Sequence, residues 1–529
     1  MSQARRMAVA LLLVLALGGC RGEPHRPKSS IVIASVGEPS ALLPPAAYET
    51  VARDIGDLVF ERLATLAPAS APIDASAYRP ALATRWERVD SLGWRFHLRP
   101  GARWHDGRPV TAADVVFSFG AYADSTVAAG AAPYIAGRVT AVAEDDSTVL
   151  VRFASPSPEQ LYDATYHVRI IPRHIWDSLP GETWAGDTTL SRLVGSGPYR
   201  LGEWRRGESL TLVADTLRAD SLAPSIGRVV WRFTADPEAA LNLVLSGEAD
   251  LLESIGAPDR IARVAADSSL RVIRYPAAVY GFAGFRIDAH PILADRAVRR
   301  ALAMAVDRRA IAANLYGADV QVPNGPMSAL LWVGYDSLIS LPFSAASSAA
   351  ALDAAGWPAG PDGVRRKRNR RLELEILVPS TSPARRQAAI AMQEMWRRIG
   401  VSAEVVAVEF PVFQERLAAG RFDVYIGAYL DEPSARGLAD QWSSAGIGLL
   451  NHGGYRRPAF DSLLADAGRA ANAEAARLLY RQALDTLNAD APAIFLYTPV
   501  QAAAVSGELE GVQIDPYSWL SDLPEWRRR

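Results

Sequence analysis

Seven histidines, at positions 25, 97, 105, 167, 174, 290 and 452, are the chain's stock of neutral-pH proton carriers and zinc ligands. None stands at helical pair spacing from another and no HExxH occurs, so a zinc-binding helix is not encoded. No GK dipeptide allows a phosphate-binding P-loop, no GxGxxG is present, and no serine has glycines two residues before and after it. Gly195-Ser196-Gly197 reads as a turn rather than a nucleophile, because no recognisable motif ties a histidine or an acid to Ser196. Asp145-Asp146 and Asp431-Glu432 are carboxylate pairs of the sort any long chain contains, and support glycosidase-type chemistry weakly. The single cysteine, Cys20, excludes an internal disulfide and a multi-cysteine metal site. These residues predict a protein that is not an enzyme and needs no metal or cofactor.

The place of Cys20 carries more than its chemistry. Arg5 and Arg6 precede an apolar run over 7–17, and Leu17, Gly18, Gly19 and Cys20 follow, the order of a secretory signal peptide. The run is short for a bilayer span. The segment resembles a bacterial lipoprotein signal, which implies cleavage before Cys20, acylation of its thiol, and a membrane anchor outside the cytoplasm. Residues 1–19 are then the signal and 20–28 a lipidated tether, the stretch 21–29 being rich in Gly, Pro, Arg and Ser.

The elements that must position any site fit a large α/β body. At 529 residues the chain exceeds one hydrophobic core, and 49% hydrophobic with 22% charged residues is ordinary globular composition. Net charge is −2, and −4 without the first 19 residues, which disfavours nucleic acid as a partner. Apolar or alternating runs predict strands over 31–36, 148–153, 209–213, 229–233, 372–378, 403–408 and 424–428. Helical periods fall at 236–245, 295–306, 347–355, 385–399 and 474–487. Trp94, Phe96 and Leu98 alternate with polar residues ahead of Pro100-Gly101, giving a hairpin, and Thr111 with Asp114 forms a capping box before an apolar helix. The basic run 365–371 reads as a solvated hairpin tip. Alternation of strands and helices argues for α/β layers, with no repeat of fixed period.

The hairpin and capped helix read FHLRPGARWHDGRPVTAADVVFSF over 96–119, which resembles the signature region of the family 5 extracellular solute-binding proteins. The resemblance continues in family order through ALATRWE (81–87), GSGPYRLGEW (195–204), LVLSGEADL (243–251), DRAVRRALAMAVDRRAI (295–311), ALDAAGW (351–357), MWRRIGV (395–401) and GGYRRPAFDSLL (453–464). It implies a class II periplasmic-binding-protein-like fold with an inserted subdomain. Lobe I is expected at 29–56, 190–280 and 494–529, the insert at 57–189, and lobe II at 281–493, with crossing segments at 280–287 and 494–498. It further implies a monomeric receptor that captures a di- or oligopeptide in the interlobe cleft and hands it to the permease and ATPase of an importer. The same scaffold could take a nickel chelate or an oligosaccharide, or serve as a sensory or chaperone-like binder. In peptide-binding members an aspartate meets the ligand's ammonium, and the corresponding segment is GAYLDEPSARGLADQW (427–442). Aligned on Gly427 it places Asp431 there. Aligned on Glu432-Pro433 it places Tyr429 there, and the family tryptophan after the glycine is Ala428. Tyr429, Trp442, Tyr280, Phe282 and Glu38 are the further expected cleft residues.

Overall fold

The computed structural model describes residues 29–529 apart from 48, 69, 129, 188, 217–223, 289, 318–319 and 335–337. Cys20, the signal segment and the tether lie outside the described residues. Three sheets carry the fold, and each has its own core.

The first sheet has seven strands in the order Leu270–Pro276, Val500–Ser506, Leu251–Leu252, Ser30–Val36, Arg228–Thr234, Ser209–Ala214 and Tyr199–Arg205. Ser30–Val36 lies at its centre, parallel to both neighbours. Side chains on a strand alternate between faces. Ile31 and Ile33 accordingly join Trp231, Leu210, Trp519 and Trp526 on one side. Ala34, Ala502 and Ala504 meet Leu241 and Val244 of the helix Pro237–Leu245 on the other. That helix starts where Asp236 accepts hydrogen bonds from the N–H groups of Glu238 and Ala239, satisfying donors the first turn cannot.

The second sheet runs Ser402–Val408, Glu373–Pro379, Val424–Leu430, Val279–Phe285 and Ala493–Tyr497. Helices Arg296–Met304 and Pro383–Arg398 pack on one face. Helices Pro458–Gly468 and Ala473–Asp490 pack on the other. The four-stranded third sheet, Ala83–Asp90, Gly93–Leu98, Thr148–Phe153 and Val139–Ala143, forms the insert with the helix Ala112–Ala123. At that helix's start the Asp114 carboxylate accepts from the Thr111 N–H at 2.9 Å, as the capping box predicts.

The chain passes between the large sheets at 277–278 and 498–499, and the two passages are joined where the Ala277 N–H donates to the Pro499 carbonyl at 3.0 Å. The runs 280–287 and 494–498, expected as crossing strands, lie largely within the strands Val279–Phe285 and Ala493–Tyr497 of the second sheet, which these passages join to the first. The basic hairpin also departs from expectation at one residue. Arg368 and Asn369 form its tip with positive φ, whereas Arg365 is buried, bonded through Nε to the Ile399 carbonyl at 2.7 Å and paired with Asp353 at 2.6 Å.

Gly195 shows what GSG is for. A Cβ at Gly195 would lie 1.8 Å from the Val59 carbonyl oxygen, and one at Gly197 would lie 2.5 Å from that of Leu58. The Gly197 N–H donates to the same Val59 carbonyl at 2.8 Å. His105 bonds this turn through its backbone, with Nε2 3.0 Å from the Gly197 oxygen. The motif therefore clamps the helix Thr50–Val59 against the first sheet. Gly195→Ala is expected to cost about 3 kcal/mol by overpacking. Calorimetry should show a thermal midpoint several degrees lower, and an unchanged midpoint would remove this role.

Candidate functional site

Asp431 follows directly on the strand Val424–Leu430, at the point where the second sheet meets the crossing. Its N–H donates to the Ala278 carbonyl at 2.7 Å, so its backbone is fastened to the crossing segment. Its Oδ2 accepts from the Ser328 N–H at 2.6 Å, and the residue is only 8% exposed. No cation pairs with it among the described residues. Burial therefore pushes the carboxyl up to about 7, against the pull of that hydrogen bond. Glu432 is raised by burial too, and accepts from the Tyr162 hydroxyl of the insert at 3.4 Å.

The first-sheet side of the same region is supplied by Tyr517, whose phenol senses both Asp431 and Glu432 and has no hydrogen-bond partner among the described residues. The insert contributes a ladder of rings. Tyr162 stacks on Tyr166 with centroids 4.5 Å apart, and Tyr134 on His167 at 4.7 Å. Burial holds His167 down at about 3, so it is neutral and serves as a flat apolar surface.

The insert and the second sheet are fastened together beside these groups. Glu159 of the insert is 2% exposed and accepts from three donors across the seam: Trp332 Nε1 at 2.6 Å, Ser434 Oγ at 2.7 Å and the Ala435 N–H at 3.0 Å. Arg436 reaches back to both oxygens of Asp163 at 2.5 Å each, the fork geometry that favours arginine over lysine.

The expected cleft residues fall into three places. Asp431 sits at the crossing with no ion pair among the described residues, and Tyr429 is two residues before it, half-buried, its hydroxyl bonded to the Leu450 carbonyl. Tyr280, Phe282 and Trp442 lie behind these in the core of the second sheet. The Tyr280 hydroxyl donates to Gln441 at 2.6 Å and accepts from Trp442 Nε1 at 3.0 Å, so its polar end is satisfied internally. Phe282 stacks tilted on Tyr429 at 4.8 Å and supports it from beneath. Glu38 is separate from all of them: it accepts from the Gly207 N–H at 2.7 Å and faces Arg206, both on the first sheet. Sequence reasoning missed Tyr517 and the ring ladder. YDATYH at 162–167 carried a signal in its i, i+4 tyrosines.

Three separately cored bodies, two of them large lobes joined at a hydrogen-bonded double crossing, with an unpaired acid at that crossing, agree with what the chain is similar to. The family model for bacterial extracellular solute-binding proteins, family 5, matches residues 77–447. The chain belongs to this family. It is 22% identical to the oligopeptide-binding protein AppA of Bacillus subtilis, over 98% of this chain and 97% of that one. Among solved structures, the transporter substrate-binding protein CtaP of Listeria monocytogenes superposes with a TM-score of 0.84 at 22% identity, over 95% of this chain and all of that one. NikZ of Campylobacter jejuni, solved with Ni(L-His), gives 0.77 at 23% identity, over 95% of this chain and all of that one. At these identities the structures establish a common fold, and the family is one of solute-binding proteins of transporters rather than enzymes. No helix among the described residues is long and apolar enough to cross a membrane.

Proposed function

We propose that the protein is the peptide receptor of an ATP-driven importer, exported and held at the membrane by lipid on Cys20, which closes on a peptide between its lobes and presents it to the permease. The observation that carries the peptide reading is the Asp431 carboxylate, buried at the hinge with one backbone donor and no cation. An ammonium would satisfy it, and an uncharged sugar would leave its charge uncompensated. A ligand touching both sides of the hinge favours the closed state in proportion to the contacts it makes only there. Tyr517 offers a hydrogen bond from the first lobe, and the rings of the insert offer flat surface that tolerates many side chains. Relatives named as oligopeptide-binding support this reading, while NikZ keeps a metal–amino-acid complex as the second reading, since the α-amino group or the metal of such a complex could sit at the same carboxylate.

Native mass spectrometry of the protein from residue 21 onward, purified gently from an expression host, tests the reading. Co-purifying masses that fragment as peptides are expected. A preparation that carries none, and later retains a nickel–histidine complex or an oligosaccharide but no peptide, would replace it with the alternative.

A further inference from the structure

The three donors to Glu159 stand on two loops beside the second sheet, and one hydrogen bond ties those loops together at their other end. On the first loop, Ser328 and Trp332 are four residues apart. On the second, Asp431 is followed three and four residues later by Ser434 and Ala435. The Ser328 N–H donates to the Asp431 carboxylate at 2.6 Å where both loops begin. Where they end, Trp332 Nε1, Ser434 Oγ and the Ala435 N–H meet on the Glu159 carboxylate of the insert. Arg436 stands 3.8 Å from the same carboxylate.

Both spans are packed tightly enough to carry a displacement from one end to the other. Met327, Ser328, Leu331, Trp332 and Val333 are all buried, and the Leu331 N–H donates back to the Ser328 carbonyl at 3.3 Å. The Trp332 ring stands edge-on to Tyr480 with centroids 5.7 Å apart, and its carbonyl accepts from Arg477 Nε at 3.3 Å. In the second loop Pro433 fixes one φ, Asp431, Ser434 and Ala435 are buried, and Ser434 Oγ accepts from the Arg436 N–H at 3.2 Å while donating to Glu159. The Asp431–Ser328 bond therefore sets the spacing of the loops, and that spacing decides whether one carboxylate reaches all three donors. The strength of the bond depends on charge. A hydrogen bond to an ionised carboxylate is about twice as strong as one to a neutral acceptor. Burial pushes the Asp431 carboxyl up to about 7, so without a cation a large share of it is protonated at neutral pH. An ammonium beside it holds it ionised, and the two carboxylate oxygens have lone pairs for both donors.

We propose that the two loops form one socket for Glu159, clamped by the Asp431–Ser328 bond, and that Glu159 and Trp332 are positioning residues which tie docking of the insert to the charged amino end of the ligand. The proposal rests on the reading of Asp431 as the ammonium site. A ligand that brings the charge tightens the clamp and completes the socket; one that lacks it fills the cleft and leaves the clamp weak. Coupling between two sites is reciprocal, so a filled socket must in turn raise the affinity of Asp431 for the charged amine.

The test is titration calorimetry on wild type, Glu159→Gln, Trp332→Phe and Asp431→Asn, each freed of bound ligand by unfolding and refolding. The probes are alanine tri- to pentapeptides with a free amino end and the same peptides N-acetylated. The quantity read is the preference, the affinity for the free amine over that for its acetylated form. Glu159→Gln keeps the size of the side chain, and Trp332→Phe keeps a ring against Tyr480 while removing the indole donor. The preference is expected to fall about tenfold in Glu159→Gln and about threefold in Trp332→Phe. Adding Glu159→Gln to Asp431→Asn should leave the preference of that variant where it was, because the clamp has no charge left to respond. A seam that only shuts the cleft lowers both affinities alike, so an unchanged preference in Glu159→Gln and Trp332→Phe overturns the coupling and leaves the peptide reading intact. If Glu159→Gln fails to refold, Trp332→Phe and Ser434→Ala decide by the same ratio. A wild type without a preference, or one that binds neither set, overturns Asp431 as the ammonium site and the coupling with it.

Discussion

Asp431→Asn should reduce affinity for peptides with a free amino end by about 3 kcal/mol, roughly 150-fold, while acetylated peptides bind the two proteins alike. The substitution keeps the size of the side chain and an oxygen that can accept from the Ser328 N–H, so the loss reports charge and not packing. The same carboxyl sets a pH dependence. With its folded value raised to about 7 by burial, it is about 1% ionised at pH 5 and about half ionised at pH 7, so peptide affinity should rise about 50-fold between pH 5 and neutrality. Binding near pH 6 should release close to one proton from this site, read by calorimetry in two buffers of different ionisation enthalpy. Stability moves the opposite way. A carboxyl raised above its unfolded value costs nothing below about pH 4, and progressively weakens folding as pH climbs to 7, by up to about 4 kcal/mol. Ligand-free wild type should therefore lose stability across that window relative to Asp431→Asn, which has nothing to ionise. Glu432, Asp440 and Glu253 are raised by burial as well, so the difference between the two proteins isolates the share of Asp431. Parallel pH profiles for the two would remove Asp431 from the site.

The parts of this molecule that could be read from sequence are those whose signal is local. The helix over 236–245 was marked by its helical period, the strand over 148–153 by alternation, and the start of the helix over 112–123 by a reciprocal cap three residues apart; each is a contest between neighbours that the neighbours decide. The aromatic residues show where this stops. Tyr280, Phe282 and Trp442 have the composition of a cleft, but whether a ring faces ligand or core depends on which helices cover the second sheet. Here Ala473–Asp490 and its neighbour cover it. Glu159 had no local signal, because its meaning lies in residues hundreds of positions away. Glu159 is an unremarkable acid in PSPEQ until residues 332 and 434–436 arrive to donate to it.

The seam around Glu159 carries the remaining large effect. Its carboxylate takes three hydrogen bonds, all from the second lobe, so every one of them is broken if the insert swings away. Water would replace these bonds in the open state, leaving a net worth of about 1 kcal/mol each, somewhat more for a charged acceptor. The forked Arg436–Asp163 pair adds to the same seam. Glu159→Ala should then shift the balance toward the open form by about 3 kcal/mol, and Glu159→Ala with Arg436→Ala further still. The insert keeps its own core around Glu159, where Leu161, Ala164 and Val168 are buried. Peptide affinity should fall roughly in step with the lost closed population. Small-angle scattering should show a larger radius of gyration for the ligand-free variant, reduced again by saturating peptide. If variant and wild type scatter alike without peptide and bind it equally, the seam contributes nothing to closure, and the ligand alone supplies the energy that shuts the cleft.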